Sequence, residues 1–480
     1  MDRKIFRSFK AKGLGLSVDA CRALSSVLSR EDDADGSLML ILDEIKERID
    51  KRQISSSVID EEAISSVVAY LSSSEDDLAQ ESTQLFDAFS SPKVVFDERM
   101  KTYKVDAKPT YTLHGTVDTR AQMFRERLLL TQQRLLRSGL FVMRGMGSSS
   151  SSNNTKAGKG EVHELSTIES LLGSEGTKVL FGMLTQPEEG SWFLEDLEST
   201  IKLDLSRTRS FSVLFTEGSQ VILQGTFSGN TFKVQVMGFP PSEERDATLS
   251  AMSIEDPFGY CLRPQQQLQM KEMETKATEE MFVIMSDIQL DRPMVVEKLQ
   301  RVFEGFENAG TEPLFILMGN FVNKPATAPG GREAVTEAFS ALADAIASCP
   351  RLAKNAKFLL VPGPQDVGTH NALPRRPIPE LFTKDLRKKV AHVTFASNPC
   401  RVRFYTQEIV LFREDLLRKM QRHSVLPPRT DEDAPELTEQ LVESILDQGH
   451  LCPLPLHVKP IHWELDYTLR LVPLPHLVRD

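Results

Sequence analysis

The hydrophobic pattern of residues 281–323 predicts one strand–helix–strand unit. Residues 281–285 form an apolar run that is too short for a helix and too apolar for a half-exposed strand, which predicts a buried strand. Apolar residues then recur at helical spacing over 294–306, and residues 314–318 are a second apolar run that ends at a glycine. Two buried strands joined by a helix are typical of a parallel α/β sheet.

The same pattern continues on both sides of this unit. An amphipathic helix is predicted over 333–348, and the apolar run 358–361 predicts a third buried strand. Upstream, five short β-like runs separated by Gly and Asn suit an OB barrel. These runs cover residues 178–184, 192–194, 201–205, 221–227 and 231–238.

Residues 1–71 carry four groups of apolar residues at helical spacing and predict a helical module. Ser17 stands directly before the second group, where its hydroxyl can cap the helix. The four groups are Ile5, Phe6 and Phe9; Val18, Cys21, Leu24, Val27 and Leu28; Leu38, Ile41, Leu42, Ile45 and Ile49; and Ile64, Val67, Val68 and Leu71. The Gly-x4-Gly-Lys-Ser/Thr motif of a phosphate-binding loop is absent, so nucleotide binding is not expected.

Polar and low-complexity segments between these patterns predict the domain boundaries. The predicted order is a helical domain (1–71), a linker and irregular layer (72–120), a helix (121–144), a disordered Ser/Gly/Asn-rich loop (145–161), an OB-like domain (162–242), a second linker (243–280) and an α/β domain (281–480). The last 30 residues, which contain several prolines, are predicted to form edge strands.

Composition narrows the class of protein. A chain of 480 residues predicts two or three domains. No apolar run approaches the roughly 20 residues that cross a bilayer, so no membrane partner is expected. Five scattered cysteines fit reduced thiols inside the cell. The net charge of −11 repels nucleic acid, so any role on DNA is expected to be mainly indirect, through a partner.

Four polar residues follow the first two predicted strands of the α/β domain. They are Asp287, Gln289, Asn320 and Asn323. Because parallel strands present their carboxyl ends at one edge of the sheet, these side chains are predicted to gather along one rim.

This rim resembles that of the calcineurin-like metallophosphoesterases, whose strands end in Asp-x-His and Gly-Asp-x-x-Asp motifs that hold two metal ions. The resemblance implies that Gln289 stands in the place of a histidine ligand and that Asn320 and Asn323 stand in the places of two aspartates. Of the metal ligands in these two motifs, only Asp287 is retained.

Two later motifs of that family are also altered. Its Gly-Asn-His-Asp/Glu motif corresponds to residues 363–366, where Pro364 replaces a metal-binding Asn and Gln365 replaces the acid that protonates the leaving group. Its Gly-His-x-His motif corresponds to residues 449–452, where His450 is retained and Cys452 replaces the second histidine. Two divalent ions need bridging anionic oxygen, which amides do not supply. We therefore expect no metal, no cofactor and no catalysis at this rim.

Further short motifs make the resemblance narrower. Matches lie in order from about residue 110 to residue 478, and the chain is identified as resembling the B-subunit family of DNA polymerase epsilon, an inactive branch of this fold. The motifs are MFRER (123–127), FLED (193–196), FPP (239–241), VPGP (361–364), NPCR (398–401), TQEIVLFREDL (406–416), QGHL (448–451) and PLPL (453–456).

The resemblance implies a multidomain α+β fold: an N-terminal helical domain like the C-terminal lobe of AAA+ ATPases, an OB barrel, and an inactive phosphoesterase α/β sandwich. It implies a nuclear accessory subunit that holds the C-terminal region of the catalytic subunit. It also implies binding of the GINS part of the replicative helicase through residues 1–71, and association with the smaller histone-fold subunits. Members of the family continue past the equivalent of Leu477, so a shortened product is expected.

Two alternatives stay open from the residues alone. A divergent phosphoesterase or nuclease could hold one metal through Asp287, Asp366 and His450. The OB barrel could instead stack single-stranded DNA on its aromatic residues Trp192, Phe193, Phe227 and Phe232. Acidic residues surround these aromatics, which favours packing against a neighbouring domain over DNA binding.

Overall fold

The chain forms two compact units, Met1–Ser82 and Thr83–Asp480. The computed structural model describes residues 2–11, 14–28, 82–106, 109–143, 162–210, 213–253, 264–324, 326–368, 371–427 and 434–479, with isolated positions between 38 and 67 and residue 258. The predicted disordered loop, 145–161, lies outside the described residues. No helix in the described ranges is long and apolar enough to span a membrane.

The first unit contains helices α1 (Asp2–Ala11) and α2 (Val18–Leu28), and strands β1 (Gly15–Leu16) and β2 (Val58–Ile59), which pair in parallel. The backbone N–H of Ala20 donates to Ser17 Oγ at 3.1 Å, which confirms the predicted cap of α2. Phe6, one of the three apolar residues that predicted α1, is 40% exposed, whereas Ile5 and Phe9 are buried. The third and fourth predicted helices fall mostly outside the described residues, but six of their apolar side chains join the core: Leu38, Ile41, Leu42, Ile45, Ile64 and Val67.

The second unit begins with three strands that the sequence analysis missed. These are β3 (Thr83–Asp87), β4 (Lys93–Asp97) and β5 (Thr102–Asp106), so the prediction of an irregular linker over 72–120 was wrong for this part. Strands β4 and β5 pair as an antiparallel hairpin. Strand β3 pairs with residues 400–404, a partner more than 300 positions away that no local pattern could reveal.

The long helix α3 (Val117–Arg137) begins four residues before the predicted start, because Thr116 and Thr119 form a capping box at its amino end. The OB strands follow. They are β6 (Phe141–Met143), β7 (His163–Ser166), β8 (Thr177–Glu188), β9 (Ser191–Glu195), β10 (Thr200–Asp204), β11 (Arg209–Ser210), β12 (Gln220–Ser228) and β13 (Thr231–Gly238).

The five predicted OB strands are confirmed as β8, β9, β10, β12 and β13. Each of the five pairs with two others in the order β8–β9–β10–β13–β12, and β12 pairs again with β8, which closes a five-stranded barrel. Closure leaves these strands without free edges. The segment predicted as a linker, 243–280, contains helices α4 (Arg245–Met252) and α5 (Pro264–Lys276).

A parallel sheet with its crossover helices follows. In chain order these are β14 (Phe282–Met285), α6 (Pro293–Ala309), β15 (Leu314–Met318), α7 (Gly331–Ala347), α8 (Pro350–Asn355), β16 (Lys357–Val361), α9 (Glu380–Lys389) and β17 (His392–Phe395). The strands pair in the order β14–β15–β16–β17, all parallel. The predicted strand–helix–strand unit is confirmed, although β14 is only half-buried because it lies at the sheet edge.

The remaining elements complete a second sheet. They are β18 (Cys400–Phe404), β19 (Gln407–Leu411), α10 (Leu417–Arg422), α11 (Leu437–Gln448), a 3-10 helix (Trp463–Leu469) and β20 (Leu477–Arg479). The sheet has the order β20–β19–β18–β3. Within the described residues after 450, only β20 is a strand, so the prediction of several edge strands there was wrong.

The alternating directions of the side chains along the central strands explain how the parallel sheet packs between two layers. Phe315 and Leu317 of β15 face the helical layer, where they meet Phe303 and Phe339. Their neighbour Ile316 faces the other way and packs against Val402 of the second sheet. Because successive side chains of a strand point to opposite faces, a fully apolar run is buried on both sides. The sheet therefore lies between helices and a second sheet, and its carboxyl edge holds the predicted rim.

Candidate functional site

The predicted rim assembles at the carboxyl ends of β14, β15 and β16. The backbone N–H and the side-chain amide of Asn320 both donate to Asp287 Oδ1, at 3.2 Å and 3.1 Å. The backbone N–H of Gln365 donates to Asn320 Oδ1 at 2.8 Å. Residues from three strand ends are thus joined by one chain of hydrogen bonds that runs through the amide of Asn320.

Asp366 adds a second carboxylate behind this chain. Its two oxygens accept hydrogen bonds from the backbone N–H groups of Phe321 and Gly363, both at 2.7 Å. Burial raises the pKa of Asp366 to about 6, although the two backbone donors oppose the shift. A side chain at Gly319 would place its Cβ 1.8 Å from Asp366 Oδ2, so the carboxylate fits only because residue 319 is a glycine.

Arg413, which the sequence analysis did not select, contacts the rim most directly. It follows β19 in the second sheet, and its Nη2 donates to both oxygens of Asp287, at 3.0 Å and 2.9 Å. Its Nε donates to the carbonyl oxygen of Gly319 at 3.0 Å, and its Nη1 donates to Asp415 Oδ1 at 2.9 Å. The signal is present in the sequence only as one arginine within TQEIVLFREDL, about 90 residues beyond the second rim motif.

The Arg413 guanidinium keeps the Asp287 carboxylate at the rim ionised. Partial burial acts to raise the pKa of Asp287, but the hydrogen bond and the charge of Arg413 outweigh it and hold that pKa below its ordinary value. Asp287 is therefore an ionised carboxylate whose countercharge comes from within the protein.

The other predicted rim residues are less closely engaged. Gln289 is half-buried, and its backbone N–H donates to the carbonyl oxygen of Asp287 at 2.9 Å. Asn323 is exposed, and its backbone N–H donates to Asp291 Oδ2 at 3.0 Å, away from Asp287. Pro364 is half-buried beside Gln365. The rim thus brings together Asp287, Asn320 and Gln365 by direct bonds and places the others around them.

His450 belongs to a different cluster. It is 4% exposed, its Nε2 lies 3.2 Å from Asp466 Oδ1, and its Nδ1 accepts the backbone N–H of Cys452 at 3.1 Å. Arg127 and Arg470 bind the same Asp466 carboxylate. Burial, with the charge of Arg127, lowers the pKa of His450 to about 4. Both imidazole nitrogens are engaged, and the thiol of Cys452 is fully buried.

These contacts bear on metal binding. Both Asp287 oxygens accept hydrogen bonds from a guanidinium, and both Asp366 oxygens accept them from backbone N–H groups. The described side-chain contacts of His450 are with Asp466 and the backbone of Cys452. Within the described part of the chain, no group of three or more His, Cys, Asp and Glu side chains is arranged to hold a metal ion. The donors present at the rim do not fit a pair of divalent ions.

The OB aromatics are mostly engaged in packing. Phe232 is fully buried in the barrel core, where it has no face to offer a base. Trp192 and Phe227 are partly buried against the same core, and Phe193 is half-buried.

Comparison with known proteins gives a consistent result across nearly the whole chain. The family described as the B subunit of DNA polymerase alpha/epsilon matches residues 282–479, and the OB-fold domain described as DNA polymerase epsilon subunit 2-like matches residues 117–241.

Individual relatives extend the similarity through the N-terminal unit. The chain is 36% identical to the DNA polymerase epsilon B subunit of Arabidopsis thaliana, over 99% of this chain and 90% of that protein. It is 35% identical to DNA polymerase epsilon subunit 2 of Homo sapiens, over 98% of this chain and 88% of the relative. The DNA polymerase epsilon B subunit of Saccharomyces cerevisiae is 29% identical over 75% of this chain.

Proposed function

This chain belongs to the B-subunit family of DNA polymerase epsilon, and we propose that it acts in the nucleus as a non-catalytic scaffold of that polymerase in chromosomal replication. The observation that carries the proposal is the 35% identity to the human subunit over 98% of the chain, which includes the N-terminal unit as well as the OB and α/β domains. A match of this extent concerns the whole domain arrangement, so the accessory role applies to the chain as a unit.

The contacts at the rim support a non-catalytic role. Hydrolysis of a phosphoester by two metals needs free anionic oxygens to bridge the ions. Here the carboxylates of Asp287 and Asp366 accept hydrogen bonds from Arg413 and from backbone N–H groups. A carboxylate engaged in this way binds an additional cation poorly, which favours an inactive phosphoesterase sandwich.

The proposed binding partners rest on the family and on the division of the chain into an N-terminal unit and a larger second unit. We propose that the OB and α/β domains hold the C-terminal region of the catalytic subunit, while the N-terminal unit binds the GINS part of the replicative helicase. In this proposal the smaller histone-fold subunits join through the assembled polymerase, and DNA is reached mainly through the partners, because the net charge of this chain is −11.

Co-purification of separate regions tests the two binding roles. The full chain and a chain beginning at residue 72 would each be co-expressed with the C-terminal region of the catalytic subunit, and separately mixed with GINS. We expect both to retain the catalytic subunit and only the full chain to retain GINS. Failure of the full chain to bind the catalytic subunit would refute the scaffold role, and GINS binding by the shorter chain would refute the assignment of that partner to residues 1–71.

A hydrolase assay tests the alternative. The purified chain, Asp287→Asn and the matched control Asp291→Asn would be incubated with Mn²⁺ and a chromogenic phosphodiester. Asp291 is suitable because it is a nearby carboxylate that accepts backbone N–H groups from the loop after β15. We expect no turnover from any of the three proteins. Turnover that is lost in Asp287→Asn and kept in Asp291→Asn would establish a phosphoesterase.

A further inference from the structure

We propose that the guanidinium of Arg413 is the built-in cation of the rim: it takes over the task of a metal ion by neutralising Asp287 and by joining three loops. The family fold implies metal ions at this edge, and the residues present do not fit them. The structure shows a protein cation on the one rim carboxylate that the metal-binding pattern retains.

The first support is the spread of the contacts. Arg413 follows β19, Asp287 follows β14 and Gly319 ends β15, so the four hydrogen bonds of the guanidinium tie loops from both sheets. Bonds to both oxygens of a single carboxylate fix the orientation as well as the distance. A metal ion joins loops in the same way, by accepting ligands from each of them.

The second support is that Arg413 is held in place from behind. Its backbone N–H donates to Asn398 Oδ1 at 3.1 Å, and Asn398 Nδ2 donates to the backbone carbonyl of Arg413 at 2.7 Å. Asn398 is fully buried, and the side chain of Arg413 is 8% exposed. The core therefore holds the backbone of Arg413, and the guanidinium is placed by Gly319 and Asp415 as well as by Asp287.

The third support is the charge balance. The single positive charge of Arg413 lies against Asp287 and Asp415, which are 50% and 56% exposed and so are also hydrated by water. Asp366 is satisfied by its own backbone donors. A divalent ion would have to displace the N–H groups that bind Asp287, and it would be repelled by the positive charge of the neighbouring guanidinium. The rim should accordingly keep its order without divalent cations.

A double-mutant cycle on the full chain tests the pairing. Asp287→Asn, Arg413→Met and the double variant would be unfolded with urea, with Arg418→Met as the control because Arg418 is exposed and lies on the next helix. We expect the effects of the two single changes on the folding equilibrium to be non-additive by a factor of about ten. Additive effects would overturn the proposal. If Arg413→Met does not fold, Arg413→Lys, which keeps the charge but loses the paired donors, takes its place in the cycle.

A second experiment, with and without a divalent cation, tests whether Arg413 takes the place of a metal ion. The melting temperature of the wild-type chain would be measured in EDTA and in millimolar Mn²⁺, and we expect no difference between the two. A stabilisation by Mn²⁺ that disappears in Asp287→Asn would show that the rim takes a metal and would overturn the proposal. Neither result depends on a binding partner, so both are independent of the scaffold role.

Discussion

Replacing His450 by asparagine should remove a pH dependence from the stability of the second unit. The imidazole accepts the N–H of Cys452 through Nδ1 and meets Asp466 through Nε2, an arrangement that the neutral ring with its proton on Nε2 satisfies. Protonation would place a second N–H against the N–H of Cys452 and a further positive charge beside Arg127. Burial and the positive charge of Arg127 lower the pKa of His450 to about 4 in the folded chain.

The size of this effect on the free energy of unfolding follows from the linkage between proton binding and folding. An unfolded histidine has a pKa of about 6.5, so between about pH 4 and pH 6.5 the unfolded chain binds the proton that the folded chain excludes. Stability is therefore lost as the pH falls through this window. At pH 5 the loss from His450 alone amounts to about 2 kcal/mol relative to pH 7.5. Asp366, whose pKa is raised to about 6, changes stability in the opposite direction, but equally in wild type and variant.

Tryptophan fluorescence can follow this part of the molecule. The chain has two tryptophans, and Trp463 begins the 3-10 helix that carries Asp466. In a Trp192→Phe background, urea unfolding reported by Trp463 would be measured at pH 7.5 and pH 5, with exposed His392→Asn as the control. We expect His450→Asn to lose about 2 kcal/mol less than the control between the two pH values. Equal losses in the two variants would refute the assignment of a neutral, buried His450.

Three further outcomes are expected. Asp466→Asn removes the buried carboxylate that Arg127 and Arg470 share, and of these two only Arg470 keeps a second carboxylate partner among the described residues, Glu126. The change should lower the free energy of unfolding by about 3 kcal/mol in urea titrations, against less than about 1 kcal/mol for Asp344→Asn, whose partner Lys389 is exposed. Gly319→Ala should cost about 3 kcal/mol by the same assay, because its Cβ would lie 1.8 Å from the Asp366 carboxylate; an unchanged midpoint would contradict the close contact. A chain beginning at residue 115, which keeps α3 and its cap, should be insoluble on expression because it lacks β3 and the β4–β5 hairpin. A chain beginning at residue 72 should be soluble, and equal solubility of the two would contradict a structural role for these strands.

The central α/β unit could be predicted closely because its signals are local. The run Leu314–Met318 was predicted with the bounds that the structure has, and the helix before it differs only by a few residues at its ends. A fully apolar run of five residues followed by glycine has few structural alternatives. The meeting of Asp287 and Asn320 then followed from a general property of parallel sheets, that their carboxyl ends share one edge.

The missed features depend on partners distant in sequence. Strand β3 reads as an ordinary polar and apolar mixture, and its role is defined by pairing with residues 400–404. Arg413 acquires its function through Asp287, 126 positions earlier. His450 matched a ligand motif by its neighbours in sequence, yet its contacts are with Asp466 and Cys452. A motif fixes residue types but does not fix which other side chains surround them in the fold.

The pairing of β3 also affects the order in which the protein can fold during synthesis. Ala88, directly after this strand, donates to Ser397, which the ribosome adds 309 residues later. At about 5–20 residues per second, this interval corresponds to roughly 15–60 s. Throughout that time the strand has emerged but its partner does not exist, and unpaired strands promote wrong pairing. The completed OB barrel would fold in this interval, whereas the second sheet must wait until the last quarter of the chain has been made.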